Sequence, residues 1–234
     1  MPRFIFIETS TALSSAAIAE NGTIICTRES DTPRAQASLT APFIKEMLDE
    51  CGLVVPDFDA VCVSAGPGSY TGLRVGVSTA KGLCFGAGIP LIGICTLDVL
   101  VHQAIDSGLV PEGCRAIVPM VDARRMEVYQ AVYSFDASGK PVRSSEVEPR
   151  VIDPESYSSL LQEGPVLFIG DGAAKCSEII KSPAAFFVQI CPHASALLRP
   201  AIARFEASEF DNTAYFEPYY LKDFVATVSR KKLF

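Results

Sequence analysis

The sequence has 234 residues, of which 49% are hydrophobic, and its formal net charge is −7. This length and composition predict a soluble protein of one large domain or two small ones. The acidic balance argues against direct, unaided RNA binding, because phosphate neutralisation requires Lys and Arg. The eight cysteines form no Cys-x-x-Cys pair, and the first residues do not resemble a signal peptide. We therefore expect a cytoplasmic protein without a membrane span.

Short apolar runs and turn residues predict that the first half of the chain opens with three strands. Asn21-Gly22 is a hairpin-turn signal, and residues 38–51 place apolar side chains on one helix face opposite charged ones. The predicted strands cover residues 4–7, 14–19, 23–28, 60–64 and 90–94, and the predicted helices cover 38–51, about 72–86 and 96–106. We expect Thr96 to cap the last of these helices.

The second half of the chain begins the same order again. Its predicted strands cover 116–121, 127–135, 147–152, 166–169 and 187–190, and its helices lie near 154–162, 173–181 and 194–206. The order resembles the ribonuclease-H-like unit of the actin, Hsp70 and sugar-kinase superfamily. We therefore expect an α/β protein of two ribonuclease-H-like subdomains with mixed sheets flanked by helices. The expected division is an N-terminal subdomain 1–110 and a smaller, partly degenerate subdomain 111–234.

Residues 63–74 combine a buried strand, a glycine-rich turn and a helix start. Gly66-Pro67-Gly68 breaks the strand, and Ser69 is a candidate N-cap. The turn lacks the spacing of a P-loop, of a dinucleotide site and of the Gly-x-Ser-x-Gly hydrolase elbow. It therefore favours a structural turn over a phosphate site. Small residues follow on the helix at steps of four, at Gly72, Gly76, Ala80 and Cys84.

This turn and its small-residue helix resemble the TsaB (YeaZ) family. Further matches lie at residues 122–129 (Asp-Ala-Arg-Arg-Met-Glu-Val-Tyr), 168–172 and 218–222 (Pro-Tyr-Tyr-Leu-Lys). The resemblance implies a non-catalytic subunit that pairs with a TsaD-type transferase, which forms N6-threonylcarbamoyladenosine next to the tRNA anticodon. It also implies a TsaE-type ATPase in the same complex and a homodimer when the protein is alone. No cofactor, no direct tRNA contact and no membrane contact are expected.

The chain departs from the family pattern at two places in its first half. The family usually has an aspartate in the turn after the first strand and a histidine before the first long helix. Here these places hold Glu8 and Gln36. Glu8 keeps the charge, whereas Gln36 removes a titratable group and puts any catalytic role of that position in doubt.

Three turns correspond to the nucleotide site of the superfamily, in which two acidic turns hold magnesium and phosphates and a glycine turn faces adenosine. The counterparts here are Glu8-Thr9-Ser10, Asp122-Ala123-Arg124 and Gly170-Asp171-Gly172. Arg124 places a long side chain where close approach of a phosphate to the backbone favours glycine. We therefore expect three structural turns of a fold that has lost its nucleotide site.

Two helix faces are candidate partner interfaces. Leu39, Phe43 and Met47 form an apolar stripe on the first helix, and small residues that permit close helix packing lie on the second. Both patterns also fit helices that face the core of the chain itself. The small-residue candidates are Gly72, Gly76 and Ala80.

Catalytic and metal sites are not expected. His102 and His193 are the only histidines, and neither has a companion ligand at helical spacing. Two alternatives stay open: an ATP-dependent small-molecule kinase or ATPase of the same superfamily, and a peptidase. The Arg124 turn argues against the first. Ser69 has no evident His and Asp partner, which argues against the second.

Overall fold

The computed structural model describes residues 2–33 and 35–222, which form two sheets flanked by helices. The first sheet has the order β3-β2-β1-β4-β5, in which the first three strands in sequence are antiparallel and β1, β4 and β5 run parallel. The bounds are β1 (Arg3–Glu8), β2 (Ser14–Glu20), β3 (Thr23–Ser30), α1 (Gln36–Cys51), β4 (Ala60–Gly66), α2 (Tyr70–Ala87), β5 (Leu91–Cys95) and α3 (Thr96–Asp106).

The second sheet repeats this arrangement with the order β10-β7-β6-β11-β12, and β8 and β9 form a side hairpin on β6. Again an antiparallel meander precedes two parallel strands. The bounds are β6 (Ala116–Asp122), β7 (Glu127–Gln130), β8 (Tyr133–Phe135), β9 (Pro141–Arg143), β10 (Glu148–Val151), α4 (Ser158–Glu163), β11 (Val166–Ile169), α5 (Ala173–Ser177), β12 (Ala185–Val188) and α6 (Leu198–Glu206). The two sheets confirm the predicted fold class.

Both faces of strand β1 are buried, and its side chains point alternately to one face and the other. Ile5 and Ile7 join a core with Met47 of α1 and Ala80 of α2. On the other face, Phe4 and Phe6 join a core that includes residues of α6. Helices α1 and α2 thus cover one face of the first sheet, and α6 covers the other.

Helix α3 and the last part of the described chain connect the two sheets. Leu97 and Leu100 of α3 pack with Ile117 and Leu167 of the second sheet. After β12, the chain returns through a short 3₁₀ turn (Ala194–Leu197) and α6 to the core of the first sheet. The division near residue 110 stays a prediction. In residues 2–33 and 35–222, no helix is long and apolar enough to cross a membrane.

Several predicted boundaries differ from the structure for local reasons. The strand predicted over 127–135 is two strands, because β7 pairs with β10 whereas β8 pairs with β9. Thr96 does not cap α3: Cys95 is the N-cap, and Thr96 is the first helical residue. Helix α4 begins only at Ser158, because Tyr157 has a left-handed backbone with φ 62°. The strand β9 was not predicted, because three residues that begin with proline carry little strand signal.

Candidate functional site

The three turns that correspond to a nucleotide site meet at one cleft between the two sheets. The cleft has a volume of about 790 Å³, and its lining includes Ser10, Asp122, Arg124 and Asp171. These turns follow β1, β6 and β11, and the carboxyl ends of such strands are where open α/β sheets place ligands. The three turns thus lie together at the cleft, and their descent from a nucleotide site stays a prediction.

The first turn buries a carboxylate among hydroxyl groups. Glu8 is fully buried and accepts hydrogen bonds from the Ser10 backbone N–H at 2.7 Å, from the Ser10 hydroxyl at 2.6 Å and from the Ser64 hydroxyl. Burial raises the pKa of Glu8 to about 7, and the Ser10 and Ser64 hydrogen bonds oppose the rise. Ser64 was not predicted, because a serine in an apolar strand gives no signal in the sequence alone.

The small-residue ridge of α2 packs against this turn. Thr9 Oγ1 donates to the Gly72 carbonyl oxygen at 2.8 Å, and a Cβ atom on Gly72 would overlap the Thr9 carbonyl oxygen. A Cβ atom on Gly76 would overlap Thr9 Oγ1, and Ala80 is fully buried. The interface prediction for Gly72, Gly76 and Ala80 is corrected, because these residues bring α2 onto β1 of the same chain.

The three residues of the predicted apolar stripe on α1 differ in burial. Met47 is fully buried in the core of the first sheet, so it is not available to a partner. Leu39 and Phe43 are half-buried. Gln36, which stands where the family usually has histidine, lines the cleft, and its Nε2 donates to the Thr11 carbonyl oxygen at 3.2 Å.

The aspartate of the second turn has its hydrogen-bond and ion-pair partners within the chain. Asp122 accepts a hydrogen bond from the Arg124 backbone N–H at 2.9 Å and forms an ion pair with Lys175. Lys175 also donates to the carbonyl oxygens of Arg125 and Glu127, at 2.8 and 2.7 Å. Arg124 has φ 69° and Arg125 has φ 51°, a left-handed backbone in which glycine is favoured. The turn therefore keeps a glycine-like backbone while carrying two arginine side chains.

The third turn uses its glycines for packing. Gly170 has φ 135°, and a Cβ atom there would overlap the Met120 carbonyl oxygen. A Cβ atom on Gly172 would lie 2.8 Å from a methyl group of Val128. Asp171 accepts from the Asp122 backbone N–H at 2.8 Å, and burial raises the pKa of Asp171 to about 6. Both glycines are thus explained by contact between β11, β6 and β7.

A segment near the end of the described chain crosses the mouth of the cleft. We call residues 211–222 the strap. Its Tyr219 backbone N–H donates to the Ala65 carbonyl oxygen at 2.6 Å, and Tyr220 packs on Tyr70 with ring centroids 4.7 Å apart. Lys222 forms an ion pair with Glu127 of the second sheet. The strap therefore joins the first sheet to the second beside the cleft.

The solvent side of α2 carries a second line of small residues that the sequence interpretation missed. Ser78, Gly82 and Gly86 are exposed and follow one another at steps of four, and Phe85 beside them is 87% exposed. A Cβ atom on Gly82 or Gly86 would meet no atom within 4 Å. We call these four residues the outer α2 face. The sequence does contain a signal for this face, because small residues recur at steps of four along two separate lines of the helix.

The two histidines lie apart from these turns. His193 Nδ1 lies 3.0 Å from Glu29 Oε2, and His102 is half-buried on α3, where burial lowers its pKa. Among the described residues, no group of three or more His, Cys, Asp or Glu side chains is arranged to hold a metal ion. All eight cysteines are free.

Two sheets of the same order, with matching turns facing a common cleft, define a ribonuclease-H-like protein of the actin and Hsp70 class. The family model described as TsaD, tRNA N6-adenosine threonylcarbamoyltransferase, matches residues 30–229. The TsaB protein of Haemophilus influenzae is 30% identical over 232 residues, 97% of this chain and 95% of that protein. The TsaB protein of Escherichia coli is 29% identical over 229 residues, 96% of each chain.

The structure of YeaZ from Pseudomonas aeruginosa is similar throughout, with a TM-score of 0.80, 25% identity and coverage of 94% of this chain and 100% of that one. The chain belongs to the TsaB family of tRNA threonylcarbamoyladenosine biosynthesis proteins. Its role therefore lies in the formation of this tRNA modification. The predicted resemblance is confirmed.

Proposed function

We propose that the chain is a non-catalytic subunit that pairs with a TsaD-type threonylcarbamoyltransferase through the outer α2 face. The observation that carries the proposal is the exposure of Phe85 beside Ser78, Gly82 and Gly86. Exposed aromatic side chains are frequent anchors of protein interfaces. Small residues at steps of four let a second helix approach closely. Leu39 and Phe43, half-buried on the adjacent α1, stay candidates for the edge of the same interface.

The shared fold favours the transferase as the occupant. The TsaD family model matches 30–229 of this chain, a range that includes α2, and we infer that a TsaD subunit has a related fold. Two related folds that present equivalent helices can pair about an approximate two-fold axis, as identical subunits do. The same geometry would let this chain form a homodimer when the transferase is absent. We also propose that a TsaE-type ATPase belongs to the same complex and that the protein is cytoplasmic.

The contacts of the second and third turns support a non-catalytic role. Asp122 is neutralised by Lys175, and the left-handed turn beside it carries Arg124 and Arg125. Gly170 and Gly172 contact Met120 and Val128 of the same chain. Groups that would have to meet magnesium and phosphates are thus engaged within the protein.

The kinase or ATPase alternative is tested by calorimetry with Mg-ATP on the isolated protein. We expect no binding heat in the micromolar range, and tight binding would favour that alternative. The peptidase alternative needs an accessible nucleophile next to a base. Ser10 and Ser64 do contact Glu8, but all three side chains are buried, which argues against their reaching a peptide.

Co-expression with a TsaD homologue tests the proposal itself. We expect the two chains to co-purify at equal stoichiometry and to restore threonylcarbamoyladenosine formation only together. Transferase activity of this chain alone would overturn the non-catalytic role, and failure to co-purify would overturn the pairing.

A further inference from the structure

A second cavity lies away from the cleft between the turns. It has a volume of about 1060 Å³ and is bounded by α3, α6 and the β8–β9 hairpin. None of its lining residues lines the cleft that contains Ser10 and Asp122. We call it the α3–α6 cavity.

Apolar side chains form much of the wall of the α3–α6 cavity. Ile105, Phe135 and Ile202 are half-buried there, so each keeps part of an apolar surface open to the cavity. A cavity with apolar walls and a few placed polar groups is the usual form of a small-molecule site. The walls therefore fit the apolar body of a ligand.

Four cationic and two acidic side chains line the cavity, so cations outnumber acids there although the whole chain is acidic. Arg199 and Arg204 enter from α6 and are paired, with Asp106 at 2.6 Å and with Asp211 at 3.2 Å. Lys140 lines the cavity from the hairpin, and its ammonium group forms no ion pair or hydrogen bond with any side chain or backbone group of residues 2–33 and 35–222. The Lys140 charge is balanced only at longer range by Asp136, whose pKa it helps to lower, so its ammonium donors stay open to a ligand.

The hairpin turn holds the backbone from which Lys140 projects. One oxygen of Asp136 accepts hydrogen bonds from the backbone N–H groups of Ser138 and Lys140, at 2.8 and 2.9 Å, and from the Ser138 hydroxyl at 2.7 Å. A turn held by its own aspartate in this way is rigid. Lys140 is thus presented from a fixed backbone, although its side chain is long.

A smaller polar recess of about 140 Å³ shares four residues with the cavity, among them Arg143, Asp98 and His102. The Tyr133 hydroxyl donates to Asp98, and Arg143 lies close to both groups. The carboxylate of Asp98 is therefore compensated by these two neighbours. Arg143 keeps further N–H groups of its guanidinium for a ligand, because this group has five donors.

We propose that the α3–α6 cavity binds a small organic anion whose apolar body lies against Ile105, Phe135 and Ile202. Its negative head group contacts Lys140 and Arg143. Carboxylates and phosphate monoesters share this chemistry, since both accept charge-assisted hydrogen bonds from Lys and Arg. The proposal is independent of pairing with the transferase, because the outer α2 face contributes no residue to the cavity.

The dye 1-anilinonaphthalene-8-sulfonate, an aromatic anion, is a suitable probe. It is titrated into the full chain with Phe85→Ser, which removes an exposed apolar side chain outside the cavity. We expect Lys140→Glu to weaken dye binding several-fold and Ala203→Trp, which fills the cavity from α6, to abolish it. Lys181→Glu makes the same charge change at an exposed site elsewhere and should leave the affinity unchanged. Equal affinity in Lys140→Glu and Lys181→Glu would overturn the proposal.

Displacement of the dye identifies the head group. Octanoate and octyl phosphate are compared with octanol, which has the same chain and no charge. Displacement by octanoate alone or by octyl phosphate alone assigns a carboxylate or a phosphate head group, and displacement by both supports a general anion site. Displacement by octanol as effective as by the anions, or by none of the three, would contradict the proposal.

Discussion

Gly72 of α2 and Thr9 of the first turn contact each other backbone to backbone. The Thr9 hydroxyl donates to the Gly72 carbonyl oxygen at 2.8 Å, and no Cβ atom fits on residue 72 without overlapping the Thr9 carbonyl oxygen. This contact fixes the start of α2 against the end of β1. It therefore decides which side of α2 faces the core and which side faces solvent.

Gly72→Ala is expected to destabilise the protein, because backbone atoms of Thr9 must move to admit a methyl group. Overfilling of a packed site costs about 1–3 kcal/mol. Gly82→Ala is the matched control on the same helix, since a Cβ atom there meets nothing within 4 Å. It should stabilise the protein by about 0.5–1 kcal/mol, because alanine favours helix over glycine. Urea unfolding of both variants tests the pair, and equal effects would contradict the packing described for α2.

The buried carboxylate of Glu8 is expected to make stability depend on pH. Its pKa in the folded state is about 7, against 4.5 for an ordinary glutamate. The folded protein therefore binds the proton more tightly, and this contribution to stability is complete below pH 4.5 and is lost as the pH rises through 7. A shift of this size corresponds to about 3 kcal/mol. Asp171, with a pKa of about 6, acts in the same direction.

Glu8→Gln separates the two groups, because it removes the titration of residue 8 and leaves Asp171 in place. The free energy of unfolding of the variant should fall by about 3 kcal/mol less than that of the unchanged protein between pH 5 and pH 8. Urea titrations at several pH values provide the measurement. Parallel pH profiles for the two proteins would show that Glu8 is ionised in the folded state throughout this range.

Isolated protein should bind tRNA weakly at physiological salt, because the net charge is −7. The run Arg230-Lys231-Lys232 is too small to offset this charge, and it lies outside the described residues. Fluorescence anisotropy with labelled tRNA measures the affinity. Sub-micromolar binding without partner subunits would refute the prediction.

The sequence predicted the repeated order of strands and the meeting of three turns, because buried strands and glycine turns leave local patterns. It did not distinguish the two sides of α2. Gly76 and Gly82 look alike in the sequence, yet one contacts Thr9 and the other faces open space. Contacts between distant residues also gave no signal, such as the ion pairs of Lys175 with Asp122 and of Lys222 with Glu127. Such contacts depend on the assembled fold.

Pairing through the outer α2 face is tested by the affinity of the chain for a TsaD-type subunit, measured for Phe85→Asp and Val151→Asp side by side. Both side chains are exposed and apolar, at 87% and 67%, but Val151 lies on β10 of the second sheet. Both variants should fold with unchanged thermal midpoints. We expect Phe85→Asp to abolish pairing, because a carboxylate would be buried in the interface, and Val151→Asp to pair normally. Normal pairing by Phe85→Asp would show that the outer α2 face does not contact the transferase.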